Sequence, residues 1–355
     1  MKGLKKFTAA FLCAAMAASM TGCADASWIA KSGNTELPVG VYVSDMLQNY
    51  MYGYMYEGSE YLKNEENVTA LKDSAKAYSS EILTFLCKAN ELGVTLTEEE
   101  KQEAITAVDE AWVTYGSLYE TNRISKESMQ LSYEVSKLSG KVFEAIYGEG
   151  GEKEVPADEI KAVYDENYLK AGLMIFSKPS SVELSEDATE EEKAQVKETY
   201  ETSLKEVQDE VDYWVEQAAT IMGQGNTFND VIIAYDFEQA GVPTTEDTEK
   251  VDTGNRYSLF DKNNEAVPAE VVEYLETAEF NEVKVVESED YIVICCRQDE
   301  QADPADFEAA KYEILYNLKN EEMLEYMEEY EKTLNIEFNE AAIKRFEPKK
   351  LVFGF

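Results

Sequence analysis

The stretch EILTFLCKANELGVTLTEEE, residues 81–100, decides the fold class. Ile82, Phe85 and Leu86 continue an apolar stripe that Leu71, Ala75 and Tyr78 begin, at the three- and four-residue spacing of one helix face. Gly93 stops that helix. Thr97, followed by three acids with Glu100 at the third position, has the composition of a capping box that opens the next helix, which should run to about Tyr115. A long helix, a glycine stop and a capped second helix predict a mainly helical domain.

Upstream, Val39 opens a helical tract with Leu47, Met51, Tyr54 and Met55 at helical spacing. The tract also holds Tyr42, Tyr50, Tyr52, Tyr56 and, further on, Tyr61, too many for one face. It reads as a helix buried on most sides with amphipathic tyrosines at its rim, or as an adaptable aromatic and methionine surface for apolar segments. Residues 28–38 before it have the pattern of a small hairpin. Downstream, Ser125 to Tyr147 is helical until Gly148-Glu149-Gly150-Gly151, and Ile160 to Tyr168 is a short helix. The pattern changes at Ala171. A buried-strand candidate at 172–176 is followed by a charged helix from about Thr189 to Met222, a shorter helix from Thr227, and strand candidates at 282–286 and 291–296. From Pro304 the chain is helical again and ends in the alternation Leu334, Ile336, Phe338, a strand able to pair with the opening hairpin.

The first 23 residues, MKGLKKFTAAFLCAAMAASMTGC, follow the grammar of an exported chain: a basic start, a short apolar run, then small residues. Met20-Thr21-Gly22-Cys23 looks like a lipobox, in which cleavage precedes Cys23 and its thiol carries lipid; an ordinary cleaved signal ending near Ala24 or Ala26 is the alternative. Loss of the leader removes three lysines and no acid, so the formal charge of −40 becomes −43. Such a field repels phosphate, which argues against nucleic acid and anionic lipid as ligands. Histidine is absent, which removes the usual general base near neutral pH and the commonest zinc ligand. Cys295 and Cys296, neighbours on a strand candidate, should face opposite sides as core or half-buried thiols, and Cys87 lies in a helix. Carboxylate pairs such as Asp209 with Asp212, or Glu99 with Asp109, are expected by chance in so acidic a chain. Asp236, Asp247, Asp252 and Asp261, read as loop residues, follow no calcium-loop pattern. No cofactor motif and no metal-ligand spacing occurs.

Three segments carry a resemblance: residues 81–92 running into Gly93–Glu100; Val155-Pro156-Ala157-Asp158-Glu159-Ile160 leading to Tyr164; and Asp306-Phe307-Glu308 to Leu318 with Leu334-Asn335-Ile336-Glu337-Phe338. In this order, behind this leader, they resemble the extracytoplasmic parvulin-type foldases and chaperones of the PrsA and SurA kind, over nearly all of the mature chain. The resemblance implies an α+β, mainly helical fold: a SurA/trigger-factor-like helical chaperone domain with an inserted parvulin-like α/β domain. The implied plan is a lipoprotein signal peptide at 1–22; lipidated Cys23, tether and hairpin at 23–38; the first part of the chaperone domain at 39–168; the parvulin-like domain at 169–300; and a returning helix and strand at 301–355.

Parvulins resemble one another in a pocket with two histidines, a cysteine or aspartate, and a methionine and phenylalanine that hold proline. Here Leu173 and Met174 stand where a first-strand histidine would fall, and Tyr291-Ile292-Val293-Ile294 holds none. Residues 266–271, AVPAEV, replace the apolar wall, and Gly254-Asn255-Arg256-Tyr257 replaces the glycine-rich segment. The expectation is a membrane-anchored, extracytoplasmic chaperone lipoprotein with no catalytic residues, its prolyl isomerase activity lost. It would hold unfolded exported proteins through Tyr50, Met51, Tyr54 and Met55, with Tyr78 as a wall, in a cleft between helical domain and insert. The apolar tail, residues 351–355, should dock on its own body, the alternative being that it occupies the client site. An active isomerase with a divergent pocket, and a lipoprotein dedicated to one fixed partner, stay open as alternatives.

Overall fold

The computed structural model describes residues 27–180, 188–242 and 254–353. Cys23 with its leader, Asp247, Asp252 and the last two residues lie outside these. The chain divides into two units, one of residues 1–156 and 315–355, the other of residues 157–314.

The first unit opens with strands β1 (Trp28–Ser32) and β2 (Thr35–Pro38), an antiparallel hairpin that leads directly into helix α1 (Val39–Glu57). A 3-10 turn, Gly58–Lys63, then enters α2 (Glu65–Leu92). Asn64 caps α2 by accepting the Glu66 N–H at 2.9 Å, and Gly93 ends it at φ 71°. The capping box opens α3 (Glu98–Thr121): Thr97 Oγ1 accepts the Glu100 N–H at 3.2 Å, and Glu100 Oε2 accepts the Thr97 N–H at 2.6 Å. This helix runs six residues past Tyr115, because Leu118 and Tyr119 still pack against the core. Helix α4 (Lys126–Tyr147) starts at the Ser125 cap. The core joins Ile29 and Leu37 of the hairpin, Val41 to Leu47 of α1, Leu71 to Leu83 of α2, and Leu131 and Val135 of α4. Each large side chain fully buried there contributes roughly 1.5–3 kcal/mol.

The second unit begins with α5 (Ala157–Asn167) and β3 (Tyr168–Ser177). Tyr168 thus opens a strand rather than closing a helix, and β3 is longer than the 172–176 segment the sequence suggested. Helices α6 (Glu190–Gly223) and α7 (Phe228–Gln239) follow, then β4 (Ser258–Asp261), α8 (Ala269–Thr277), β5 (Val283–Glu287) and β6 (Tyr291–Gln298). Neither β4 nor α8 was visible in the sequence. Asp236 lies in α7 rather than a loop, paired with Arg256 at 2.8 Å, and Asp261 ends β4. The sheet is antiparallel in the order β4-β3-β6-β5. One face sets Met174, Phe176, Ile292, Ile294 and Cys296 against α6 and α7. The other sets Leu169, Ala171, Val293 and Cys295 against α8 and Phe260. Gly172 is where α7 comes closest: a Cβ there would stand 2.5 Å from the Phe228 ring.

Helix α9 (Pro304–Thr333) crosses the boundary between the units. Its first turns stay with the second unit, where Asp306 pairs with Lys170 at 2.5 Å and Phe307 meets the Tyr164 ring edge-on at 5.4 Å. Its later turns belong to the first unit. There Tyr326 and Tyr330 flank the ammonium of Lys88 at 4.9 and 4.3 Å, and Glu322 pairs with Lys153 at 2.7 Å. Strand β7 (Glu337–Phe338) then pairs antiparallel with β1, Ala30 opposite Phe338, giving a three-stranded sheet β2-β1-β7. Asn339 secures the junction by donating its side-chain amide to Trp28 O at 3.0 Å and its backbone N–H to Ile29 O at 2.9 Å. Helix α10 (Glu340–Arg345) buries Ala342 and Ile343, and a final 3-10 turn, Pro348–Lys350, precedes the tail. No helix among the described residues is long and apolar enough to cross a membrane.

Candidate functional site

Helix α1 divides along its length rather than around its circumference. Val39–Val43, Met46 and Leu47 are enclosed, whereas Tyr52, Met55 and Tyr56 near its end are 66, 77 and 76% exposed. The enclosed half lies between the hairpin, α2 and α4; the end, where Asn67 of α2 still donates to Glu57 at 3.3 Å, carries the same residue types with less to cover its other faces. Four-residue spacing sets tyrosines over one another: Tyr50 meets Tyr54 edge-on at 6.0 Å, and Tyr52 meets Tyr56 at 5.7 Å. From the 3-10 turn, Tyr61 stacks on Tyr50 at 6.2 Å and presses against α1 at Gly53, where a Cβ would stand 2.4 Å from its ring. Phe353 of the tail completes the cluster, 5.8 Å from Tyr50 and 4.7 Å from Tyr54.

The structure brings Tyr50 and Tyr54 together and half-buries Met51 against the same core. Burial, and secondarily Tyr54, pushes the Tyr50 phenol above its usual pKa. Met55 sits on the exposed side of the same turns. Tyr78 is placed elsewhere, inside the packing of the helices: burial raises its pKa, opposed by a hydrogen bond with Ser132 of α4. The tyrosine tract pointed to Tyr61, but its close seat on Gly53 was not legible. Asn122, which holds the tail, gave no sequence signal beyond its place near the end of a helix.

The second unit shows what fills the positions where the resemblance implied catalytic groups. Met174 is buried against α6 and α7, and Leu173 is half-buried toward α8. The two thiols face opposite sides of β6, each enclosed. Burial pushes Cys295 up to about 12, with Cys296 adding to it, and burial pushes Cys296 up to about 11, so both stay protonated at neutral pH. Around residues 262–276 lies a depression of about 530 Å³. Its walls are Val267, Pro268 and Val272 among Lys262, Asn263, Asn264, Glu265, Glu273 and Glu276, with no aromatic ring among them.

No protein-family model matches the chain, and no curated protein matches it. Solved structures are similar to it. The foldase protein PrsA from Streptococcus pneumoniae strain Canada MDR_19A is 14% identical, with 75% of this chain and 85% of that one covered and a TM-score of 0.38. The foldase protein PrsA from Lactococcus lactis is 13% identical, with 90% and 99% covered and a TM-score of 0.37. PrsA from Bacillus subtilis is 14% identical, with 75% and 84% covered and a TM-score of 0.33.

Proposed function

We propose that this protein is a chaperone that holds unfolded exported chains at the outer face of a membrane, with Cys23 as its lipidated residue and without prolyl isomerase activity. The observation that carries the reading is the end of α1. Tyr52, Met55 and Tyr56 stand open beside the Tyr50, Tyr54 and Tyr61 cluster. Large exposed apolar surface is a liability in a soluble protein unless it is used, and methionine with tyrosine makes it adaptable: thioethers fill irregular gaps, and phenols tolerate both water and apolar contact. Capture of this kind is weak and spread over several contacts, which suits clients of varied sequence. The loss of isomerisation is supported by what replaces the implied pocket: apolar core at Leu173 and Met174, protonated buried thiols, and a depression rimmed by carboxylates and amides.

The test is aggregation of a chemically denatured model protein, with and without the body that begins after Cys23, beside a prolyl-peptide isomerisation assay on the same sample. Suppressed aggregation, substantially weakened in a Tyr52→Ser, Met55→Ser, Tyr56→Ser variant, with no isomerisation above background, is the expected result. Isomerisation would return the enzyme reading, and neither activity would leave a lipoprotein dedicated to one partner. For the anchor, Cys23→Ser should release the protein from the membrane fraction; retention there would exclude this cysteine as the attachment point.

A further inference from the structure

The tail contact is unlike the rest of the packing. Residues 351–353 follow the last 3-10 turn, with Leu351 already extended, and complete no sheet or helix. Leu351 and Phe353 pack against the helical core, while the Val352 side chain between them is 50% exposed. Asn122, next to the end of α3 and only 6% exposed, donates Nδ2 to Val352 O at 2.9 Å and accepts the Val352 N–H on Oδ1 at 2.9 Å. Its amide also donates to Leu118 O at 2.9 Å, which fixes its orientation. One side-chain amide thus pairs with both polar groups of a single extended residue, as a neighbouring strand would, and ignores that residue's side chain. Alongside, the Phe353 ring lies against Tyr50 and Tyr54.

We propose that Asn122, Tyr50 and Tyr54 form a binding site for an extended peptide segment with an aromatic residue directly after the backbone-held one, and that Leu351–Phe353 is its tethered occupant. Recognition through backbone and one ring tolerates varied sequence, as a holder of many chains requires. A tail that left would bare Asn122 Oδ1 and the ring faces of Tyr50 and Tyr54 that Phe353 covers, and a replacement strand with an aromatic residue covers them again. Directly after Asn122, Arg123 is held at φ 62°, a left-handed conformation that side chains other than glycine and asparagine rarely adopt. Such strain persists where the surroundings fix it, and here it adjoins the group that grips the peptide. The exposed Tyr52, Met55 and Tyr56 occupy the same turns of α1, so a client met there lies beside the site. The inference rests on the proposed holding function and names the class of segment held.

The experiment uses a fluorescent peptide of the chain's own last seven residues, KKLVFGF, with binding read by anisotropy. The full chain should bind it weakly, because the tethered copy competes at an effective concentration of about millimolar order. A chain ending at Lys350 should bind about tenfold tighter or more, and Asn122→Ala in that shortened chain should reverse the gain. A peptide N-methylated at the valine, which lacks the N–H that Asn122 accepts, should lose a similar factor. Full-length Phe353→Ala keeps the chain complete and should also bind the peptide more tightly than wild type, which decides the matter if the shortened chain does not fold. Equal binding by wild type and Phe353→Ala, or by methylated and unmethylated peptides, would overturn the proposal. Aggregation suppression by the full chain that survives such a result would leave the holding function standing, whereas peptide exchange without suppression would remove that function and leave the site.

Discussion

Lys88 shows how a charge can be enclosed at little cost. It is 3% exposed in a helix interior, yet its ammonium meets Glu91 at 2.9 Å and lies over two tyrosine rings from the returning helix. Burial alone would lower its pKa; hydrogen bonds with Tyr326 and Glu91 outweigh that and raise it. Its carbon stem packs while its head is held by carboxylate and π-faces. Lys88→Ala removes stem and head together and should cost about 2–4 kcal/mol, the range of a buried side-chain truncation. Lys88→Met keeps the stem and leaves a solvated Glu91 behind, and should cost about half as much. Urea unfolding midpoints of the two variants measure the difference: a Met variant as stable as wild type would mean that the charge contributes nothing, and equal losses that the stem contributes nothing.

Among the elements, the start of α3 is the most exposed to pH. Glu100 accepts the Thr97 backbone N–H and pairs with Lys141 at 2.9 Å, and these two contacts hold its carboxyl down at about 2. A depressed carboxylate stabilises above its unfolded pKa and loses that contribution as pH falls through the folded value. The pinning of α3 to α4 should therefore weaken between the ordinary glutamate value, 4.5, and about 2. Half-buried Asp45 and the more open Glu81, both held above the usual carboxylate value by partial desolvation, act with the opposite sign and gain from protonation first. Glu100→Gln can still cap Thr97 but cannot titrate, so its stability curve should be flatter than wild type below about pH 4.5; equal slopes would contradict this. The same capping grammar explains what the sequence made legible. Thr97 with Glu100, the helix start at Thr189, and Gly93 are local signals that fix helix ends wherever tertiary packing agrees, whereas the Asn64 cap of α2 was not read. The four residues of β4 and the nine of α8 carry no period long enough to read, and only their partners in the sheet and core define them. The site divides in the same way. Its tyrosines advertised themselves by number, but which of them would be open depended on which faces of α1 the rest of the unit covers, and Asn122 depended on a segment 230 residues away.

For the molecule as a whole, charge sets the reach of the proposed capture. A formal charge of −40 favours basic segments at a distance, while the aromatic end of α1 acts on contact. Raising salt to about 1 M shrinks the Debye length to about 3 Å and should slow capture of a basic denatured client several-fold while leaving a neutral, aromatic-rich one little changed. Stopped-flow association with the two clients measures it, and equal salt dependence would assign the charge to solubility alone. The sheet that pairs Ala30 with Phe338 has a further consequence. As the chain emerges from its N-terminus, its first strand waits for nearly the last residues before it finds a neighbour on that edge. Residues 157–314 form a unit from one continuous run and have no such wait. The middle of the protein is therefore free to fold while the chain is still emerging, and the helical unit closes around its own beginning only once residues 337–338 have arrived. A protein proposed to hold unfinished chains is itself, until then, an unfinished one.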